Sequence, residues 1–291
     1  MTHGAPARSV PSEMSAPRRG FYQRVLRALV RERVPCLVGG TYALEDHTGI
    51  RRATKDLDLF ILDGGWDAAA AALAREGIHT TLPFPHWLGK AHRGRLCVDL
   101  LYASGNGLCR VDESWFTHAP ERVFWGVRAM VCPVEELIWS KSFVQERERF
   151  DGADVLHLLR AQADELDWDH LLARFGENWE VLLSHLVLFR FVYPGDRDRI
   201  PARVLRTLVD RLLHEPLRPG VEHLCRGTLL SREQYLADIE RPDVLDARVP
   251  PYGTLSPADI VRWTEEIPAA RRATLRRRTP QRRRSASPLP V

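Results

Sequence analysis

Residues 55–61, Lys-Asp-Leu-Asp-Leu-Phe-Ile, alternate acidic and apolar side chains before turning wholly apolar. Period two is the spacing of a strand with one face in the core, so Asp56 and Asp58 share a sheet face while Leu57 and Leu59 enter the core. Two carboxylates held side by side repel each other. At about 4 Å the repulsion is roughly 1 kcal/mol in water and about 4 kcal/mol at an effective dielectric near 20. A bound divalent cation removes that cost, whereas a solvated strand face explains an isolated Asp-x-Asp without any ligand.

The flanking residues decide between these. Upstream, the apolar run Pro35–Val38 ends in Gly39-Gly40, a buried strand running into a turn. Thr41 can cap a short helix to about Asp46, with Gly49 ending it. Backbone N–H groups at such a helix start, with no Cβ in the way, form an anion site, although a plain tight turn uses the same glycines. The spacing matches neither GxGxxG nor GxxxxGK[ST], so neither dinucleotide nor P-loop chemistry is supported. Downstream, Trp66–Arg75 reads as a helix stopped by Gly77, and Pro83-Phe84-Pro85 breaks the chain. Residues 86–101 read as two strands around His92-Arg93-Gly94. The second arm, 96–102, is apolar except for Asp99. An unpaired carboxylate there carries a desolvation cost of several kcal/mol. A cation held by Asp56 and Asp58 would relieve it, and so would Arg93 or Arg95 of the same hairpin. Three carboxylates, Asp56, Asp58 and Asp99, suit a hard ion such as Mg²⁺ (or Mn²⁺).

Near residue 133 the chain changes class. Before it, helix and strand signals mix: an amphipathic helix at 21–32, then the elements above, then one or two strands in 122–132. After it, helical segments follow at about 134–149, 152–162, 168–175, 178–191, 201–214, 231–239 and 256–266. The expected fold is α+β, a small mixed sheet flanked by helices with an α-helical C-terminal region. The boundaries expected are a disordered lead at 1–19, an α/β core at 20–132, a helical domain at 133–270 and an Arg-rich disordered tail at 271–291. That tail holds eight of the 42 basic residues and no acid; without it 34 basic groups face 38 acidic ones, so a formal charge of +4 becomes −4. No apolar run approaches the roughly 20 residues of a membrane span. The N-terminus lacks a signal-peptide apolar region. Five cysteines, an odd number without CxxC spacing and three of them in apolar runs, suit reduced thiols, and a cytoplasmic protein is expected.

Gly39-Gly40-Thr41, the Asp56-Leu57-Asp58 strand and a later single Asp99, in that order, resemble the DNA polymerase β nucleotidyltransferase superfamily. Thr54-Lys55-Asp56-Leu57-Asp58 is similar to the Thr-x-Asp-hydrophobic-Asp signature of bacterial AbiEii-type stand-alone nucleotidyltransferases. Lys141, Arg147, Asp151 and Asp154 look like the Lys, Arg and Asp-rich helix start that follows the core in those relatives. As a surface cation and helix-capping acids, they need no such role. The likeness covers roughly residues 34–160. It implies a metal-dependent nucleotidyltransferase in which Asp56, Asp58 and Asp99 hold Mg²⁺ and catalyse transfer from an NTP such as ATP, with Gly39, Gly40, Thr41 and Lys141 binding the nucleotide. It further implies a possible RNA acceptor, tRNA included, a toxin-like role and an antitoxin partner. An aminoglycoside-like acceptor and a non-catalytic binding or antitoxin-like module are the alternatives.

Overall fold

Leu57, Leu59 and Ile61 are fully buried on one face of their strand, while Asp58 and Phe60 point to the other. That split organises two hydrophobic cores, one on each face of a mixed sheet. The computed structural model describes residues 14–216 and 218–265. Helix α1 (Ala16–Arg31) leads into β1 (Cys36–Val38), α2 (Gly40–Thr48), β2 (Leu57–Ile61) and α3 (Trp66–Arg75). Strands β3 (His79–Phe84), β4 (Leu88–Arg93) and β5 (Leu96–Leu101) follow, then α4 (Ser114–Thr117), β6 (Glu121–Phe124) and β7 (Val127–Val131). The helical part comprises α5 (Val134–Ser142), α6 (Gly152–Gln162), α7 (Trp168–Phe175), α8 (Trp179–Val192) and α9 (Ala202–His214). Two short strands, β8 (Leu224–Cys225) and β9 (Leu245–Asp246), flank α10 (Leu236–Ile239), and α11 (Pro257–Glu265) closes the described chain.

The main sheet has seven strands in the order β3-β4-β5-β2-β1-β7-β6. Pairs β1/β7 and β2/β5 are parallel and the other four antiparallel, so the expected α+β class with a mixed sheet is what forms. Helices α1 and α3 cover the Leu57/Leu59 face. The opposite face, with Leu37 and Phe60, shares one core with α2 and helices α5 to α9. Each fully buried Leu on these faces contributes about 1.5–3 kcal/mol by leaving water. Helix α11 returns to the β3–β4 edge, where Leu255 and Trp263 pack on Phe84 and Leu88.

Four expectations are corrected. Residues 16–19 are helical rather than part of a disordered lead, because Pro17 sits in the first turn of α1, where its missing N–H is harmless. Residues 1–13 of that lead and the Arg-rich tail lie outside the described residues. Strand β3 runs through Pro83; it is an edge strand with a register shift between Thr81 and Phe84, the setting that tolerates proline. The helix expected at 134–149 ends at Ser142, and residues 145–150 turn back through a Gln145–Phe150 bridge. Segment 231–239 is helical only at its end, α10. No described helix is long and apolar enough to cross a membrane. All five cysteines are free, with Cys36, Cys109 and Cys132 buried.

Candidate active site

Strand β2 begins at Leu57, so Asp56 stands one residue outside it, exposed, in a bend. Thr54 shapes that bend: its hydroxyl donates to the Asp56 carbonyl at 3.0 Å and accepts the Asp56 N–H at 3.4 Å. Asp58 lies within the strand, and its register partner on the parallel neighbour β5 is Asp99. Two of the three expected carboxylates are thus direct cross-strand neighbours, with the third two residues upstream.

Helix α2 starts against this pair. The Gly39 N–H donates to the Asp58 carbonyl at 2.9 Å. Gly40 has φ +54°, and a Cβ on it would lie 1.8 Å from Asp58 Oδ2, so only glycine fits beside the carboxylate. Gly39 is the N-cap, without a side-chain cap, and Thr41 lies inside the first turn rather than capping it. The N–H groups of that turn have no acceptor within the helix. Gly49, in the left-handed region, ends α2 as expected. The helix is pinned by His47, whose Nε2 bonds the Cys132 carbonyl at 2.8 Å, and by Gln162, which donates to the His47 carbonyl at 2.6 Å.

Burial, and then the neighbouring Asp99, push the Asp58 carboxyl up to about 6; Lys141 and Arg149 pull it back, and Asp56 adds to the rise. Asp99 is not left unpaired. Lys90, its antiparallel partner on β4, donates from Nζ to Oδ1 at 2.7 Å, so the cation comes from Lys90 and not from Arg93 or Arg95. Burial opposes the charge on Lys90, but the hydrogen bond and charge of Asp99 raise its pKa nonetheless. Cys97 also donates to Oδ1, at 3.4 Å, and burial followed by Asp99 pushes its thiol up to about 12.

Lys141 is nearly buried and its ammonium is taken: it donates to Asp151 at 3.0 Å and to Asp154 at 2.8 Å. Arg52, from the segment before β2, also binds Asp154, and Arg149 grips Asp151 at 3.1 Å. Arg149, rather than the expected Arg147, completes this network. Asp151 is the N-cap of α6, yet its side chain serves Lys141 and Arg149 instead of the helix. Burial works against its charge, but those two cations hold its carboxyl below the ordinary value. Lys141 therefore reaches Asp58 as a field rather than a contact. Lys90, Arg52 and Arg149 went unrecognised in the sequence; the β4–β5 register is the signal that finds Lys90.

Among the described residues no group of three or more His, Cys, Asp or Glu side chains is arranged to hold a metal ion. The donors of the Asp58–Asp99 pair are nonetheless of the kind a hard cation takes. They are carboxylate oxygens, Asp58 and Asp99 repel each other, and the space beside Asp58 Oδ2 is kept free of a Cβ by Gly40.

No family model matches the sequence, and no curated protein matches it. Among solved structures, the chain is similar to the antibiotic-resistance factor ANT(2'')-Ia in solution, at 18% identity over 59% of this chain and 98% of that one, TM-score 0.42. It is similar to JHP933 from Helicobacter pylori at 16% identity over 71% and 94% of the two chains, TM-score 0.36. A tRNA-processing enzyme in an apo form shows 13% identity over 91% and 78%, TM-score 0.29.

Proposed function

We propose that this chain is a metal-dependent nucleotidyltransferase, moving a nucleoside monophosphate from an NTP such as ATP to an acceptor hydroxyl. The supporting observation is the pairing of Asp58 with Asp99 against the glycine start of α2, which puts acidic groups and an anion-binding helix end at one point. Asp56 and Asp58 would hold Mg²⁺ (or Mn²⁺), with Asp99 beside them. Such an ion, when bound, offsets carboxylate repulsion and the charge of the triphosphate. The first-turn N–H groups at Gly40 and Thr41 would receive the β- and γ-phosphates, with Gly39 setting the angle of entry. Asp99, held by Lys90, would take the proton of the attacking hydroxyl. The new O–Pα bond then forms as the Pα–O bond to pyrophosphate breaks, in line.

The acceptor in this proposal is an RNA end, tRNA included, acting in a toxin-like role that an antitoxin partner would silence. Its support is the cationic segment Arg51–Lys55 leading into Asp56, together with the resemblance around Thr54–Asp58. The mildly acidic body favours a second reading, a cationic aminoglycoside-like acceptor. Purified protein with labelled NTP, Mg²⁺ and total RNA should label RNA, and Asp58→Ala should abolish the label. Label on an added aminocyclitol but not on RNA selects the second reading. If calorimetry detects no NTP binding with Mg²⁺ or Mn²⁺, the enzyme is refuted in favour of a non-catalytic module.

A further inference from the structure

A cleft of about 1090 Å³ is walled by the first turn of α1, one side of α2, the segment joining α2 to β2, and the tip of the β6–β7 hairpin. It exceeds the roughly 300–1,000 Å³ of small-molecule pockets. Five cations line it, Arg18, Arg19, Arg51, Arg52 and Lys55, against two carboxylates. Both carboxylates are neutralised, Glu45 by Arg51 at 2.8 Å and Asp46 by Arg122 at 3.2 Å. Arg52 is held by Asp154. Arg18, Arg19 and Lys55 have no carboxylate partner among the described residues. Arg18 is fixed by a 3.1 Å bond from Nη1 to the Thr54 carbonyl, and its buried Nε has no partner.

Aromatic rings stand among these cations. Tyr42 meets Trp125 edge to face, with centroids 5.1 Å apart, and Tyr22 backs both rings at 6.3 and 5.5 Å. Trp125 is half-buried at the hairpin tip with φ +51°. Unpaired cations interleaved with ring edges and faces suit a ligand carrying both phosphates and unpaired bases. A duplex hides its bases, and a free polyphosphate would use the cations alone.

We infer that this cleft binds a single-stranded polynucleotide. The Arg51–Lys55 wall ends one residue before Asp56, so a strand seated along it would run toward that carboxylate. The strand's role as acceptor rests on the nucleotidyl transfer proposed above; its binding does not.

The test is fluorescence anisotropy of a labelled single strand of about 12 nucleotides with the full chain, between about 50 and 200 mM salt. Arg19 and Lys55 are exposed. Arg19→Ala/Lys55→Ala should weaken binding about tenfold at the lower salt and flatten the log–log salt slope by about 1.4, at roughly 0.7 per phosphate contact. Trp125→Phe should lessen the quenching of tryptophan fluorescence that the strand causes. The Arg-rich segment 271–291 is common to every variant and cancels in the comparison. Matched RNA and DNA strands separate the two sources of this chemistry. Asp58→Asn should retain strand binding while losing transfer, so failure of the cleft and failure of the enzyme are scored apart. An unchanged affinity and slope in the double variant, equal affinity for duplex, or complete displacement by tripolyphosphate at matched phosphate concentration would overturn the inference.

Discussion

Replacing Asp58 by asparagine should stabilise the protein while destroying its proposed activity. The Asp58 carboxyl moves from 3.8 to about 6 on folding, chiefly through burial and then through Asp99. At about 1.4 kcal/mol per unit, the fold carries a penalty approaching 3 kcal/mol whenever Asp58 is ionised. The sign follows from proton counting. Below about pH 3.8 folded and unfolded chains both hold the proton. Between 3.8 and 6 the unfolded chain releases it first, so stability falls as pH rises, and above 6 the penalty is complete. Asparagine keeps the shape and loses the charge. Asp58→Asn should therefore gain about 1–3 kcal/mol at pH 8 and about 1 kcal/mol or less at pH 4.5. For a chain of this size that is roughly 2–12 °C at pH 8, measured by calorimetry without divalent ions. Millimolar Mg²⁺ should raise the wild-type midpoint and leave the variant's unchanged. A variant that is no more stable than wild type at pH 8, or a gain independent of pH, refutes the assignment of Asp58 as a charge confined beside a like charge.

The other perturbations follow from single contacts. Gly40→Ala puts a methyl 1.8 Å from Asp58 Oδ2 on a left-handed backbone, so the carboxylate must shift; transfer should fall about 10²-fold, with a stability loss of about 1–2 kcal/mol by denaturant titration. Lys90→Met leaves Asp99 without its ammonium beside Asp58, and transfer should fall about 10²-fold in a folded protein; unchanged transfer would separate Lys90 from the site. Asp246→Ala strands the fully buried Arg248, which it grips at 2.7 and 3.0 Å, and should cost about 3–5 kcal/mol by urea unfolding.

The parts of the fold that were legible in the sequence are those where local pattern and tertiary structure agree. Alternation at Leu57–Ile61 gave β2, and the alanine-rich run with its glycine stop gave α3. Where tertiary pairing overrides local preference, legibility ends. Nothing near Pro83 announces a strand, because β3 exists as the bulged edge of the sheet, held through its pairing with β4 rather than by its own alternation. The break after Ser142 is similar. A helix continued through residue 151 would carry Asp151 about 15 Å along its axis from Lys141. The turn at 145–150 instead brings the two within 3.0 Å, and no helix propensity encodes that exchange.

The site shows the same division more sharply. Asp58, Asp99 and the glycines announced themselves because each sits oddly in its own stretch, a charge among apolar residues or a paired glycine after a strand. Lys90 is ordinary in its stretch and matters only through register. It opposes Asp99 because β4 and β5 pair with Leu88 against Leu101 and Arg93 against Leu96. A slip of one residue would turn Lys90 to the other face of the sheet and leave Asp99 facing Asp58 alone. The hairpin turn at Gly94 therefore bears on the chemistry of a carboxylate five residues away. Partner choice for Asp99 could not be settled by charge and proximity in sequence, which favoured Arg93 and Arg95. On either side of that turn, Arg93 and Arg95 flank the glycine at the hairpin end, whereas Lys90 lies opposite Asp99 on the same face as Asp58. Asp58, Asp99 and Lys90 thus form one electrostatic unit, and a cation entering beside Asp58 meets an acid whose partner is already a lysine.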